Sequence, residues 1–128
     1  MYSTVILGSA FPAPAIARRL LSQGRNVRVV DCHSTSTLPC PFNPIPQWTI
    51  NHLLKSLEGA TEVVLVVPFH PPLNHHDAST DYDTLTRVER AVAAIAQSPS
   101  ITRLCYIGDA YSSLPLDDNY GICEQKHM

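Results

Sequence analysis

The segment Gly8-Ser9-Ala10-Phe11-Pro12-Ala13 places a glycine and two alanines at G-x-A-x-x-A spacing, and an acid, Asp31, follows 31 − 8 = 23 residues after Gly8. Small residues at such spacing, between a strand and a helix, suit the binding of a diphosphate. The first makes a tight turn, the second lets the backbone approach the pyrophosphate, and the third lets helix and strand pack closely. The helix N-terminus behind them offers bare N–H groups and a partial positive charge. Alanine is tolerated at the third position, but at the second the Ala10 methyl group occupies the point of closest approach. An acid about 20 residues further on can accept both hydroxyls of an adenosine ribose and repels a 2′-phosphate, so Asp31 favours NAD over NADP. The competing reading of Asp31 is a solvated strand-end acid or a helix cap.

Such a turn needs a strand before it, a helix after it and a second strand ending at the acid. Ser3 to Leu7 is a β-branched and apolar run, read as a buried strand. Pro12 and Pro14 bracket a helix start, where a missing N–H costs nothing. Ala13, Ile16, Ala17, Leu20 and Leu21 then recur at helical spacing up to a stop at Gly24. Asn26 to Asp31 completes a βαβ unit, whose crossover is right-handed. After an irregular Ser-, Thr- and Pro-rich stretch, a third strand is expected around Ile45 to Thr49. A second helix carries Ile50, Leu53, Leu54 and Leu57 and closes at Gly59. Glu62 to Val67 lacks polar alternation, as a strand covered on both faces should. A long helix is predicted from about Thr80 to Gln97, with Leu85, Val88, Val92, Ile95 and Ala96 facing inward, and a fifth strand from Ile101 to Ile107. Strands alternating with helices give an α/β fold: a three-layer, Rossmann-like parallel sheet of about five strands, helices on both faces.

With 128 residues, one domain fits and two do not. Nine basic and eleven acidic side chains leave 9 − 11 = −2, with no basic stripe to recognise nucleic acid or an anionic membrane. No apolar run approaches the roughly 18 residues of a membrane span. Val5-Ile6-Leu7 ahead of Ala13-Pro14-Ala15 imitates a secretory signal, but no Lys or Arg precedes it and Gly8-Ser9 interrupts it, so it is read as part of the fold of a cytoplasmic protein. Four scattered cysteines form no C-x-x-C pair, and Cys105, within an apolar run, is read as a buried free thiol.

From Thr4 to about Ser113 the chain resembles the N-terminal part of extended or atypical short-chain dehydrogenases/reductases, in the epimerase/dehydratase and 3β-hydroxysteroid dehydrogenase group. Three stretches carry the resemblance: Gly8 to Leu21 with Val27-Arg28-Val29-Val30-Asp31, then Leu57-Glu58-Gly59-Ala60-Thr61-Glu62-Val63-Val64, and Ile101-Thr102-Arg103-Leu104-Cys105-Tyr106-Ile107. The resemblance implies a dinucleotide-binding domain over residues 1–113 with a C-terminal tail over 114–128, truncated before the substrate-binding part. Its implied cofactor residues are Gly8, Ser9, Ala10, Phe11, Pro12, Ala13 and Asp31, with Pro68 opening a loop that would run beside the nicotinamide.

Departures from that family bear on catalysis. Asp109 stands where a Ser or Thr hydroxyl is expected, and Gln47-Trp48-Thr49 replaces an acid that would contact adenine. Tyr120 matches the tyrosine of the Tyr-x-x-x-Lys pair, but Glu124 holds the lysine's place and Lys126 comes two residues late. A carboxylate beside a phenol raises its pKa, against the need of a proton donor. Tyr120 is therefore the one catalytic candidate of an otherwise incomplete set. His70, His75, His76 and Asp77 could be imagined around a metal, yet the Pro71-Pro72 loop gives no defined ligand geometry, and no metal is assigned. The expectation is an NAD-type dinucleotide-binding domain, non-catalytic as it stands. The alternatives are an oxidoreductase or epimerase completed by a missing segment or partner chain, and a regulatory or interaction module that has lost the cofactor. A bare sheet edge beside the fifth strand would favour a homo-oligomer.

Overall fold

The structure, a computed structural model, describes residues 3–34, 37–67, 84–108 and 124–125. The elements run β1 (Ser3–Leu7), α1 (Ala13–Ser22), β2 (Asn26–Asp31), β3 (Phe42–Pro44), α2 (Ile50–Ser56), β4 (Glu62–Val66), α3 (Thr84–Ala96), β5 (Arg103–Ile107) and β6 (Glu124–Gln125). They form one sheet in the order β3-β2-β1-β4-β5-β6. The first five strands are parallel and β6 is antiparallel. Strand order reverses beside β1, between the β1–α1 and β4–α3 connections. In open α/β sheets a ligand crevice forms at that place, outside the carboxyl ends of the strands.

Both faces of the sheet are covered, which is why β1 and β4 read as unbroken apolar runs. On one face Val5, Leu7, Val63 and Leu65 pack with Leu53 and Leu57 at α2 and with Ala91, Ala94 and Ile95 of α3. On the other, Ile6, Val27, Val29, Val64 and Val66 meet Ala13 and Ala17 of α1. Each fully buried Leu, Ile or Val contributes about 1.5–3 kcal/mol. Thr49 caps α2 by accepting from the His52 amide. Arg28 on β2 holds the other end, donating to the carbonyls of Ser56 (2.7 Å) and Glu58 (2.9 Å); burial lowers its pKa.

Several sequence expectations are corrected. The third strand is Phe42–Pro44 rather than Ile45 to Thr49, because Phe42, Asn43 and Pro44 align with Val29, Val30 and Asp31. Its one proline, Pro44, is tolerated because an edge strand leaves one row of donors unused. Ile45 and Trp48 beyond it are buried in the core instead. On helix α3, Val88 and Ile95 face the core as expected, but Leu85 (63% exposed), Val92 (45%) and Ala96 point outward, and Arg87, Ala91 and Ala94 are buried in their stead. Small Ala91 and Ala94 let the helix lie close to the sheet, which a Leu/Val stripe would hold further off. The expected start of this helix, residues 80–83, lies outside the described residues.

Cys105, expected as a buried free thiol, is half-buried and disulfide-bonded. The edge of β5 expected to be bare is not so at this cysteine: Cys105 and Tyr106 pair with Gln125 and Glu124 of β6. Cys32 and Cys40 are free.

At the amino ends of the strands, opposite the crevice, Glu62 is buried. It accepts from the Thr4 hydroxyl (2.6 Å), pairs with Arg25, and lies 3.9 Å from Arg103. Removing one partner of such a cluster strands the others. Glu62→Ala is expected to lower stability by about 2 kcal/mol, less than a fully buried pair would lose because Arg25 keeps some solvent contact. Urea unfolding followed by circular dichroism measures this; a change within about 0.5 kcal/mol would show the cluster to be energetically neutral.

Candidate functional site

The β1–α1 turn leaves the sheet at Gly8, whose φ of 104° is a left-handed value that only glycine adopts without strain. Its amide donates to the Val30 carbonyl (2.9 Å), so the turn starts against the end of β2. The next residue makes the link that defines the site. Ser9 donates twice to Asp31 Oδ2, from its amide at 2.8 Å and from its hydroxyl at 2.9 Å. Asp31 Oδ1 accepts from the Cys32 amide at 2.7 Å. The Ser9 hydroxyl also lies 3.0 Å from the His33 carbonyl, a second acceptor. Both Ser9 and Asp31 have no exposed surface. Asp31 is thus drawn against the turn, at the crevice end of the sheet, with its carboxylate accepting three hydrogen bonds from the chain's own donors.

The helix behind the turn carries few bare amides. Pro12 and Pro14 have none, the Ala13 amide donates to Ala10 O (2.8 Å), and that of Ile16 donates to Pro12 O (3.0 Å). Among the described residues of the turn and first helical turn, the amides of Ala10, Phe11 and Ala15 remain for an anion. This is a sparser cradle than a glycine-rich turn gives, although α1 still directs its positive dipole end there. Phe11 stands at the mouth with its ring 86% exposed.

Cys32, next to Asp31, has its thiol pKa raised, first by burial and further by the Asp31 charge, with the Arg87 charge opposing both. Cys40 is raised by burial as well. Neither is poised as a thiolate nucleophile.

Trp48 lies in the Gln47-Trp48-Thr49 stretch that follows β3. It is a packing residue: 3% exposed, its indole N–H donates to Arg87 O (2.9 Å), and the Arg87 guanidinium lies 5.4 Å from its ring centroid. Arg90 of α3 donates to the Trp48 carbonyl (3.1 Å). Sequence reading missed Arg87; the only signal was its i, i+4 spacing to Ala91 on a helix whose longer apolar residues drew attention elsewhere.

At the far side of the crevice Tyr106 packs on the core and its ring covers Gly108, where an added Cβ would lie 2.9 Å from Cε1. Glu124 is extended in β6. Pro68, Asp109, Tyr120 and Lys126, and the group His70, His75, His76 and Asp77, lie outside the described residues. Among the described residues no cluster of His, Cys, Asp and Glu is gathered as a metal site requires. Among them, too, no helix is long and apolar enough to cross a membrane.

No protein-family profile and no curated protein match the sequence. Solved structures do. UDP-N-acetylglucosamine 4-epimerase from Bacillus cereus superposes with a TM-score of 0.65 at 14% identity, covering 95% of this chain and 42% of its own. UDP-glucose 4-epimerase from Thermus thermophilus, solved with NAD, gives 0.65 at 18% identity, covering 98% and 45%. A short-chain dehydrogenase/reductase superfamily protein from Agrobacterium tumefaciens with bound NAD gives 0.59 at 17%, covering 95% and 39%. The chain therefore spans less than half the length of each of these proteins. Its parallel sheet in the order β3-β2-β1-β4-β5, with three helices, is the Rossmann-like fold found in the N-terminal part of such epimerases and short-chain dehydrogenases.

Proposed function

We propose that the chain is an NAD-type dinucleotide-binding domain, non-catalytic as it stands. The observation that supports this most is the position of Asp31, hydrogen-bonded to the turn that follows β1 at the strand-order reversal. A carboxylate there suits the adenosine ribose and disfavours a 2′-phosphate, so NAD is preferred to NADP. Gly8, Ser9, Ala10, Phe11, Pro12 and Ala13 would border the diphosphate, with the amides of Ala10, Phe11 and Ala15 as donors. Two of the structural neighbours hold NAD, which agrees with this assignment. When bound, NAD supplies a hydride acceptor, but the set of groups that would guide a proton is incomplete in this sequence: Glu124 stands at the lysine position of Tyr120.

NAD titration followed by melting temperature tests the proposal. Saturable stabilisation is expected, amounting to about 2.7 kcal/mol when free NAD is about 100 times Kd. NADP should bind more weakly. A melting temperature indifferent to NAD, NADH and NADP would leave an interaction module without cofactor. A second reading, an oxidoreductase or epimerase completed by a further segment or a partner chain, draws on the chain's coverage of less than half of each neighbour. Hydride transfer on adding keto or sugar-nucleotide substrates would favour it.

A further inference from the structure

We propose that the Ser9 hydroxyl acts as an internal stand-in for a ribose hydroxyl and so tunes the affinity of the site for ligands bearing a ribose diol; this rests on the dinucleotide reading above. A carboxylate offers about four lone-pair positions. In Asp31, Oδ2 takes two donors, the amide and hydroxyl of Ser9, and Oδ1 takes the Cys32 amide. One position is left. A ligand with a single ribose hydroxyl can use it, but a 2′,3′-diol needs two.

The two amide donors are fixed by the backbone, so the Ser9 hydroxyl is the donor that can yield. It also has somewhere to go, because the His33 carbonyl lies 3.0 Å from the same oxygen. Turning its O–H from Asp31 to His33 O withdraws the donor without leaving a buried hydroxyl unsatisfied, and the hydroxyl oxygen, 2.9 Å from Oδ2, must also shift aside for a ligand hydroxyl to take its place. The exchange is not neutral, since a hydrogen bond to a charged acceptor is replaced by one to a neutral carbonyl. Diol binding thus carries a fixed penalty set by Ser9. Burial of both side chains in the ligand-free chain accords with a site held closed by its own hydroxyl.

The test uses the full 128-residue chain and three probes, NAD, ADP and 2′-deoxy-ADP, with Kd measured by calorimetry. Ser9→Ala removes the hydroxyl and is expected to bind NAD and ADP roughly three- to ten-fold more tightly, the difference between a charge-assisted and a neutral hydrogen bond. Its affinity for 2′-deoxy-ADP should stay within about twofold of the original, because one hydroxyl needs no displacement. The variant should also melt at a lower temperature, since Asp31 loses a donor in the empty protein. Ser9→Gly removes the same hydroxyl and serves if the alanine variant fails to fold. Unchanged or weaker ADP binding in the variants, while the unaltered chain binds ADP, would overturn the proposal and leave Ser9 with a structural role. An equal gain for 2′-deoxy-ADP would overturn it too, because the effect would not concern the diol. If the unaltered chain binds none of the probes, the dinucleotide reading itself fails and this inference with it.

Discussion

Asp31→Ala is expected to lower the unfolding free energy by about 3–4 kcal/mol and to weaken NAD binding on the order of 100-fold. The stability loss follows from three short hydrogen bonds to one buried carboxylate. Its removal leaves the buried Ser9 amide and the half-buried Cys32 amide without that acceptor and returns the Ser9 hydroxyl to His33 O alone. For a domain of this length, such a loss corresponds to roughly 10 °C in melting temperature. The binding loss follows from the two ribose hydroxyls that the carboxylate would accept. Calorimetry and thermal melts read both quantities on the same sample. Asp31→Asn keeps the side-chain size and one good acceptor but turns an NH₂ toward a donor, so it should fall between the original and the alanine variant. Unchanged NAD affinity in Asp31→Ala would remove the ribose site from this position. An unchanged melting temperature would contradict the energetic weight given to the Ser9–Asp31 link.

Trp48→Ala should cost more stability than any other single change at the crevice end, about 3–5 kcal/mol. Trp48 is the only tryptophan, is almost wholly buried, and joins the segment after β3 to α3 through its indole N–H and its contact with Arg87. Truncation opens a large cavity and leaves the Arg87 carbonyl without that donor. The effect should be local as well as global. Hydrogen exchange of α3 amides should accelerate well before that of the β1 and β4 amides, because α3 loses an anchor while the central strands keep theirs. Trp48→Phe retains most of the volume and should cost about 1 kcal/mol, the worth of the lost hydrogen bond. Equal acceleration in α3 and the central strands would show that Trp48 supports the whole core without preference for the helix.

These two residues differ in how far the sequence announces them. Asp31 is legible from chemistry: a carboxylate closing a strand, 23 residues beyond a glycine turn, has few roles. Trp48 is not, because an indole beside Gln47 and Thr49 gives no sign whether it meets a ligand or a helix. Elements whose pattern repeats were equally legible. β1, α1, β2, α2 and β4 lie where periodicity and the stops at Gly24 and Gly59 place them. The third strand escaped this reading because proline-rich edge strands lack an apolar alternation, and its position was set by pairing with Val29, Val30 and Asp31.

The alternation of strands and helices, the buried character of the central strands, and the turn-and-acid pair of Gly8 and Asp31 are written in local residue patterns. These follow from local rules, namely side-chain period, glycine's access to positive φ and the missing proline N–H. Which residues of α3 are buried, that Cys105 is disulfide-bonded with β6 paired alongside it, and that the Asp31 carboxylate already accepts from Ser9 and Cys32 come from packing between elements. Apart from the Cys32 amide, which is the neighbour of Asp31, each of these depends on what approaches from a distant part of the chain. Helix α3 turns its small residues inward because Trp48 and the sheet take up the space. Both Ser9 donors reach Asp31 Oδ2 because β1 and β2 run side by side and bring residues 22 positions apart within 3 Å.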